Sequence, residues 1–198
     1  MSSKVNTREK LIETASKLFE TKGYYATGLN EILIESGTPK GSLYYHFPKG
    51  KEQLALEAIN SAGEKIKSKL ESILNSNINP VDAIISSIEH IATLIDNDQK
   101  IKDMSISLIA LETYLTSEAL RKACEEIFTS LGSIYAKKLI NSGINENDAY
   151  KLGDVIAAMI EGGMTYSLIK KSGKPLRLIA EQTPKLLNIT SMETKQSN

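Results

Sequence analysis

The chain has 198 residues, 41% hydrophobic and 24% charged, which is enough apolar material for one large or two small folded domains and too much for a disordered chain. Its 24 basic and 24 acidic side chains cancel, but unevenly: residues 1–51 hold eight Lys or Arg against five Glu, and residues 36–51 hold three lysines and no acid. A single cysteine, Cys124, and two histidines, His46 and His90, exclude an intrachain disulfide and a Cys- or multi-His metal centre, so neither metal nor cofactor is expected.

The N-terminus has no apolar signal segment and no run nears the ~18 uninterrupted apolar residues of a membrane span, so a cytoplasmic location without membrane contact is expected. The pattern is helical almost throughout. In the first predicted helix, residues 7–22, Leu11, Ile12, Ala15, Leu18 and Phe19 share one face. Asn6 or Thr7 is its cap and Gly23 its stop. A second helix follows Thr27, carries Leu29, Ile32 and Leu33, and stops at Gly37. A short third spans Thr38 to about Tyr45, with Thr38 as N-cap candidate and Pro39 at the first helical position. Pro48 and Gly50 interrupt the chain before a long fourth helix over about 51–74. Further helices are predicted at about 80–96, 99–115, 117–141, 146–171 and 175–189, with a frayed polar tail after Asn188. The fold class is therefore all-α, with about nine helices. An N-terminal three-helix unit (1–54) is joined through the long fourth helix to a C-terminal helical bundle (55–198).

Thr27–Tyr45 reads as two short helices joined by a tight turn at Gly37, a helix-turn-helix. Such a pair leaves its second helix free to enter a major groove with its first residues at the base edges. Here those residues are Thr38, Lys40, Gly41 and Ser42. Lys40 can donate to guanine or to phosphate, and Gly41 permits close backbone approach. Lys40 and Tyr44, four apart, share a face, while Leu43 and Phe47 are left to pack inward.

The run Gly37-Thr-Pro-Lys-Gly-Ser-Leu-Tyr-Tyr-His-Phe47, followed by Lys51-Glu-Gln-Leu54, resembles the signature of the TetR family of transcriptional regulators. The likeness extends back through Arg8, Leu18-Phe19, Gly23-Tyr24 and Thr27–Ile32, about the first 60 residues. With its Pro48-Lys49-Gly50 stretch it is similar to a subgroup containing repressors that respond to flavonoids and other planar drugs. The resemblance implies that Thr27 and Gly28 open the second helix near a phosphate. It implies base reading by Lys40 and Ser42, and phosphate contacts by Tyr44 and His46 with Tyr45 beside them. Lys49 and Lys51 compete for the backbone-gripping position at the start of the fourth helix.

The C-terminal region offers apolar stripes, which are ordinarily core. The resemblance implies that this core encloses a small-molecule pocket, with Met104, Leu108, Tyr114, Phe128, Tyr135, Met159 and Tyr166 as candidate lining. Ile156, Ile160, Leu168, Leu178 and Leu186, with small Gly153, Gly162 and Gly163 beside them, are the expected homodimer face; closing the monomer core is the alternative use. His90 reads as a core or boundary histidine and Cys124 as an inert thiol. There is no Glu-x-x-His pair, no phosphate-cradling Gly loop and no nucleophile with a base, so no catalytic residue and no enzyme is expected. The function implied is a ligand-responsive regulator, a repressor by the family's habit. It would bind a palindromic double-stranded operator as a dimer and be released by a small hydrophobic or aromatic effector. A DNA-binding regulator without a small-molecule sensor is the alternative.

Overall fold

The computed structural model describes residues 6–97 and 106–196, with side chains to Leu187. Among them are nine helices and no strand: α1 (Thr7–Lys22), α2 (Leu29–Ser36), α3 (Lys40–His46), α4 (Lys51–Asn75), α5 (Pro80–Asp96), α6 (Ile106–Thr113), α7 (Glu118–Ile140), α8 (Glu146–Lys170) and α9 (Lys174–Gln196). They form two compact units, one of residues 6–66 and 106–127, the other of residues 67–97 and 128–196. A single cut after residue 54 does not describe this division: α6 and the first turns of α7 are compact with the helix-turn-helix, and α4 and α7 each contribute to both units.

In the first unit, Asn6 caps α1, its side-chain oxygen accepting from the Arg8 N–H at 3.2 Å. The predicted apolar face of α1 is buried, with Leu11, Ala15 and Phe19 fully so. α2 and α3 pack on it. Between them Gly37 is left-handed (φ 59°, ψ 32°), and its N–H turns back to the carbonyls of Ile34 and Leu33. Thr38 donates its N–H to Leu33 O at 3.2 Å, completing the turn. α3 begins later than expected. Pro39, not Thr38, is its N-cap, and the Thr38 hydroxyl pairs with Ser36 Oγ at 2.6 Å instead. Leu43 and Phe47 are fully buried beneath α3. The Arg8 guanidinium lies 5.7 Å from the Phe47 ring centre and bridges to Glu57 at 2.7 Å.

The second unit is built on α9, which packs against α5 and α8. Ile84, Ile88 and Ala92 of α5 and Leu176, Ala180 and Leu187 of α9 are buried. Asp96, at the end of α5, accepts the Gly173 N–H at 2.6 Å. Arg177 reaches both Glu89, at 3.1 Å, and Asp96, fastening α5 to the turn between α8 and α9. Asp96 is held below the usual carboxylate range by the Gly173 N–H and then by Arg177. α9 continues to Gln196, past the expected end near residue 189 and through an internal Pro184.

Four residues of the expected dimer face lie inward on α8 instead. Ile156 and Ile160, expected at a dimer face, are buried within the protomer on the inward row that also holds Ala149, Leu152 and Gly163. Gly153 also faces inward, where a Cβ would collide with the Gly132 carbonyl of α7; Gly163 sits under Leu176 and Ile179 of α9. The outward row is instead Val155, Met159, Gly162, Tyr166 and Ile169, spaced alternately four and three apart. Val155, Tyr166 and Ile169 are 44%, 54% and 75% exposed, and nothing lies near Gly162. By length and composition alone α8 is apolar enough to cross a membrane. The inward and outward rows account for that composition.

The Gly37 turn is the sharpest local demand on the sequence. A Cβ there meets only Lys10 Nζ at 3.8 Å, so its penalty is the left-handed backbone and not crowding. Gly37→Ala should cost about 1 kcal/mol and lower Tm by roughly 2–4 °C. Gly41→Ala, in open space on a helix, should not lower it. Thermal denaturation followed by circular dichroism checks both.

Candidate nucleic-acid interface

The predicted contact residues separate by burial. Leu43 and Phe47 hold α3 to the core, so the opposite face of this seven-residue helix is presented outward. On it Lys40, Gly41, Tyr44 and Tyr45 are exposed, with Ser42 and His46 partly so; Tyr45 is 82% exposed. The Lys40 ammonium lies 6.0 Å from the Tyr44 ring centre, as their four-residue spacing requires. Tyr45 and His46 meet edge to face at 5.0 Å.

Thr27 does not belong to this exposed set. It is fully buried and donates its hydroxyl to the Gly23 carbonyl at 2.8 Å, bracing the turn that precedes α2. Gly28, exposed, is the N-cap of α2. No side chain caps either α2 or α3, whereas Asn6, Asn79 and Asn145 cap α1, α5 and α8. Both helices of the motif therefore keep free N–H donors at the positive end of the helix dipole.

The charges sort in the same way. Lys22 is paired with Glu31 and Arg8 with Glu57. Lys51 is half-buried with its ammonium 4.3 Å from the Tyr24 ring centre; burial pushes its pKa down, and Glu112 draws it back up. Lys49 is exposed, its backbone N–H held by Gln53 at 3.1 Å, and no described carboxylate pairs with it or with Lys40. Of the two competing lysines, Lys49 is the one presented outward.

The expected ligand-lining residues differ in burial and divide between the two units, Leu108 and Tyr114 in the first and Phe128, Tyr135, Met159 and Tyr166 in the second. Met104 lies outside the described residues. Tyr114 and Tyr166, expected inside, are 55% and 54% exposed. Leu108, Phe128 and Met159 are half-buried, and only Tyr135 is fully enclosed. Tyr135 shares a hydrogen bond with Ser87 Oγ at 3.2 Å, and burial pushes its pKa up to about 12. A surface cleft of about 430 Å³ in the first unit is lined by α4 and α7 residues including Gln53, Glu57 and Lys122, and by none of these seven. Of the expected dimer residues, Leu168 and Leu178 are each 50% exposed and Leu186 is half-buried. Cys124 is buried with its thiol pushed up to about 11, and half-buried His90 is pushed down by burial and then by Lys69. Both fit the inert roles expected of them.

Residues 11–58 match the family described as bacterial regulatory proteins, tetR family. Residues 80–182 match the LmrA/YxaF-like C-terminal domain of transcriptional regulators. The chain belongs to the TetR family. It is 46% identical over 187 residues to the uncharacterized HTH-type transcriptional regulator YxaF of Bacillus subtilis (strain 168), covering 94% of this chain and 98% of that one. It is 42% identical over 182 residues to the HTH-type transcriptional regulator LmrA of the same organism, covering 92% and 97%. A TetR transcriptional regulator from Chloroflexus aurantiacus superposes with a TM-score of 0.76 at 27% identity, covering 92% of this chain and 94% of that one. The protein is thus a helix-turn-helix transcriptional regulator and not an enzyme.

Two features escaped the reading of the sequence. The outward row on α8 was visible as apolar spacing, but only the structure separates it from the inward row. The pairing of Glu112 with residues 23–24 spans 88 positions and has no local signal. Substituting Lys40 by Ala should weaken binding and relax base preference. Lys49→Ala should weaken all duplexes alike and reduce the salt slope by about one. Anisotropy titrations over a salt series separate the two behaviours.

Proposed function

We propose that this TetR-family regulator is a repressor that binds a palindromic operator as a homodimer and is released by a small hydrophobic or aromatic effector. The observation that carries the DNA reading is the outward face of α3, where Lys40, Tyr44 and Tyr45 stand exposed beside unpaired Lys49. Lys40 and Ser42 would read bases; Tyr44, Tyr45, His46, Lys49 and the free amides following Gly28 and Pro39 would hold phosphates. Such a regulator would act in the cytoplasm, where the operator is.

The dimer reading is supported by the outward row of α8. Val155, Met159, Gly162, Tyr166 and Ile169 form a heptad-like seam with a glycine at its centre, suited to close packing against a second copy. Leu168 and Leu178 add exposed apolar area nearby in sequence. Two-fold pairing would then require two half-sites at a fixed separation. Ile169→Glu should give a monomer by sedimentation velocity and cost most of the operator affinity, while leaving the helical content intact.

The effector reading is supported by one polar group inside an apolar unit. Ser167 Oγ is buried without a hydrogen-bond partner, and such an atom is ordinarily satisfied by water or ligand. The sensor-free alternative is favoured by Tyr135, whose enclosed ring and satisfied hydroxyl leave nothing for a ligand to engage there. Melting the protein against a panel of planar aromatic compounds separates the two. A true effector at 100 times its Kd adds about 2.7 kcal/mol of stability and also lowers DNA affinity. Compounds that leave both the melt and the DNA complex unchanged favour the sensor-free regulator.

A further inference from the structure

The end of α6 and the turn after it fasten the reading head at two places. Glu112 accepts a hydrogen bond from the Tyr24 backbone N–H. Its carboxyl group crowds over Gly23, where a Cβ would collide with it. The same carboxylate attracts the Lys51 ammonium, which rests on the Tyr24 ring at 4.3 Å. Two further bonds run alongside: the Tyr25 hydroxyl pairs with Thr116 Oγ1, and the Ser117 hydroxyl donates to Glu52 at 2.6 Å. Residues 112–117 therefore grip Tyr24 and Tyr25 on one side and Lys51 and Glu52 on the other.

Those two grips bracket the chain between residues 26 and 50, which contains α2, the Gly37 turn and α3. α3 carries the outward face, and the stretch that contains it is held at both ends by one short segment outside the helix-turn-helix. Glu112 acts toward both sides: its carboxylate accepts from the Tyr24 N–H, and its charge offsets the burial that disfavours the Lys51 ammonium resting on the Tyr24 ring.

We infer that Glu112 is a positioning residue for operator binding, setting the placement of α3 by clasping Tyr24 to Lys51 without touching DNA itself. The inference rests on the operator reading above and adds to it the side chain on which the head's placement depends.

The test uses the full chain and its Glu112→Ala and Glu112→Gln variants. The probe is a duplex enriched by the wild-type protein from random-sequence DNA, together with re-spaced versions carrying a base pair added or removed at the centre. A positioning role predicts that Glu112→Ala weakens the enriched duplex about tenfold and narrows its advantage over the re-spaced ones. It also predicts faster hydrogen exchange at the Tyr24 amide. Glu112→Gln keeps an acceptor oxygen but not the charge, and should fall between wild type and Glu112→Ala. If Glu112→Ala melts below the assay temperature, Glu112→Gln carries the test. Two results overturn the inference: affinity and spacing preference within about twofold of wild type, or a loss equal on every duplex that tracks only the unfolded fraction. Failure of the wild-type protein to enrich any sequence overturns the operator reading itself, and this inference with it.

Discussion

The interface depends on the anchoring of a very short helix. α3 has seven residues, too few to be stable alone, and no side-chain cap. Leu43 and Phe47, both fully buried, hold it in place. Burying two such side chains supplies roughly 3–6 kcal/mol, enough to offset the ordering of a helix that short. Because both anchors lie on one side, everything on the other side is free of packing duties. That is why Tyr45 can be 82% exposed although Leu43 and Phe47, two positions to either side, are completely enclosed. The Gly37 turn then fixes the angle at which α3 leaves α2, and the Arg8 guanidinium covers the Phe47 ring from α1.

Charge is allocated with the same economy. A count of lysines in the first 51 residues suggests a diffuse basic patch. The structure is more selective. Lys22 and Arg8 are used in ion pairs between helices, and Lys51 is drawn against an aromatic ring. Lys40 and Lys49 remain outward, beside helix N-termini that carry no side-chain caps. The neutral net charge of the chain is thus compatible with an anionic partner, because the cations that matter are the ones without internal duties.

Helix positions were legible because they depend on local signals. Asn caps, left-handed glycines and 3.6-residue spacing all act within a few residues, and they gave α1, α4, α5, α7 and α8 nearly to the residue. The one misplaced cap, Thr38, fails because a neighbouring hydroxyl, Ser36, competes for it. The α3 signature was legible because its inward and outward residues interleave at fixed spacing. What was not legible depends on which partner faces a given side of a helix. α8 has apolar residues on two sides, and sequence periodicity alone does not say that Ile156 and Ile160 face the core while Val155 and Ile169 face out. Tyr114 and Tyr166 are expected inward from residue type and helical face, and neither fixes which side of a helix meets the core; both stand more than half exposed. The resemblance puts Thr27 near a phosphate, but its buried hydroxyl is used by the Gly23 carbonyl four residues earlier.

The central claim is that the outward face of α3 recognises a particular DNA sequence and not merely polyanion. The most direct measurement is fluorescence anisotropy of the wild-type protein on a duplex it has enriched from random DNA, against a scrambled duplex, between roughly 50 and 200 mM salt. The account predicts a preference for the enriched duplex that persists across the series while both affinities fall with salt. Equal, weak binding to both duplexes that vanishes as salt rises would contradict it, and would reduce the face to an electrostatic patch.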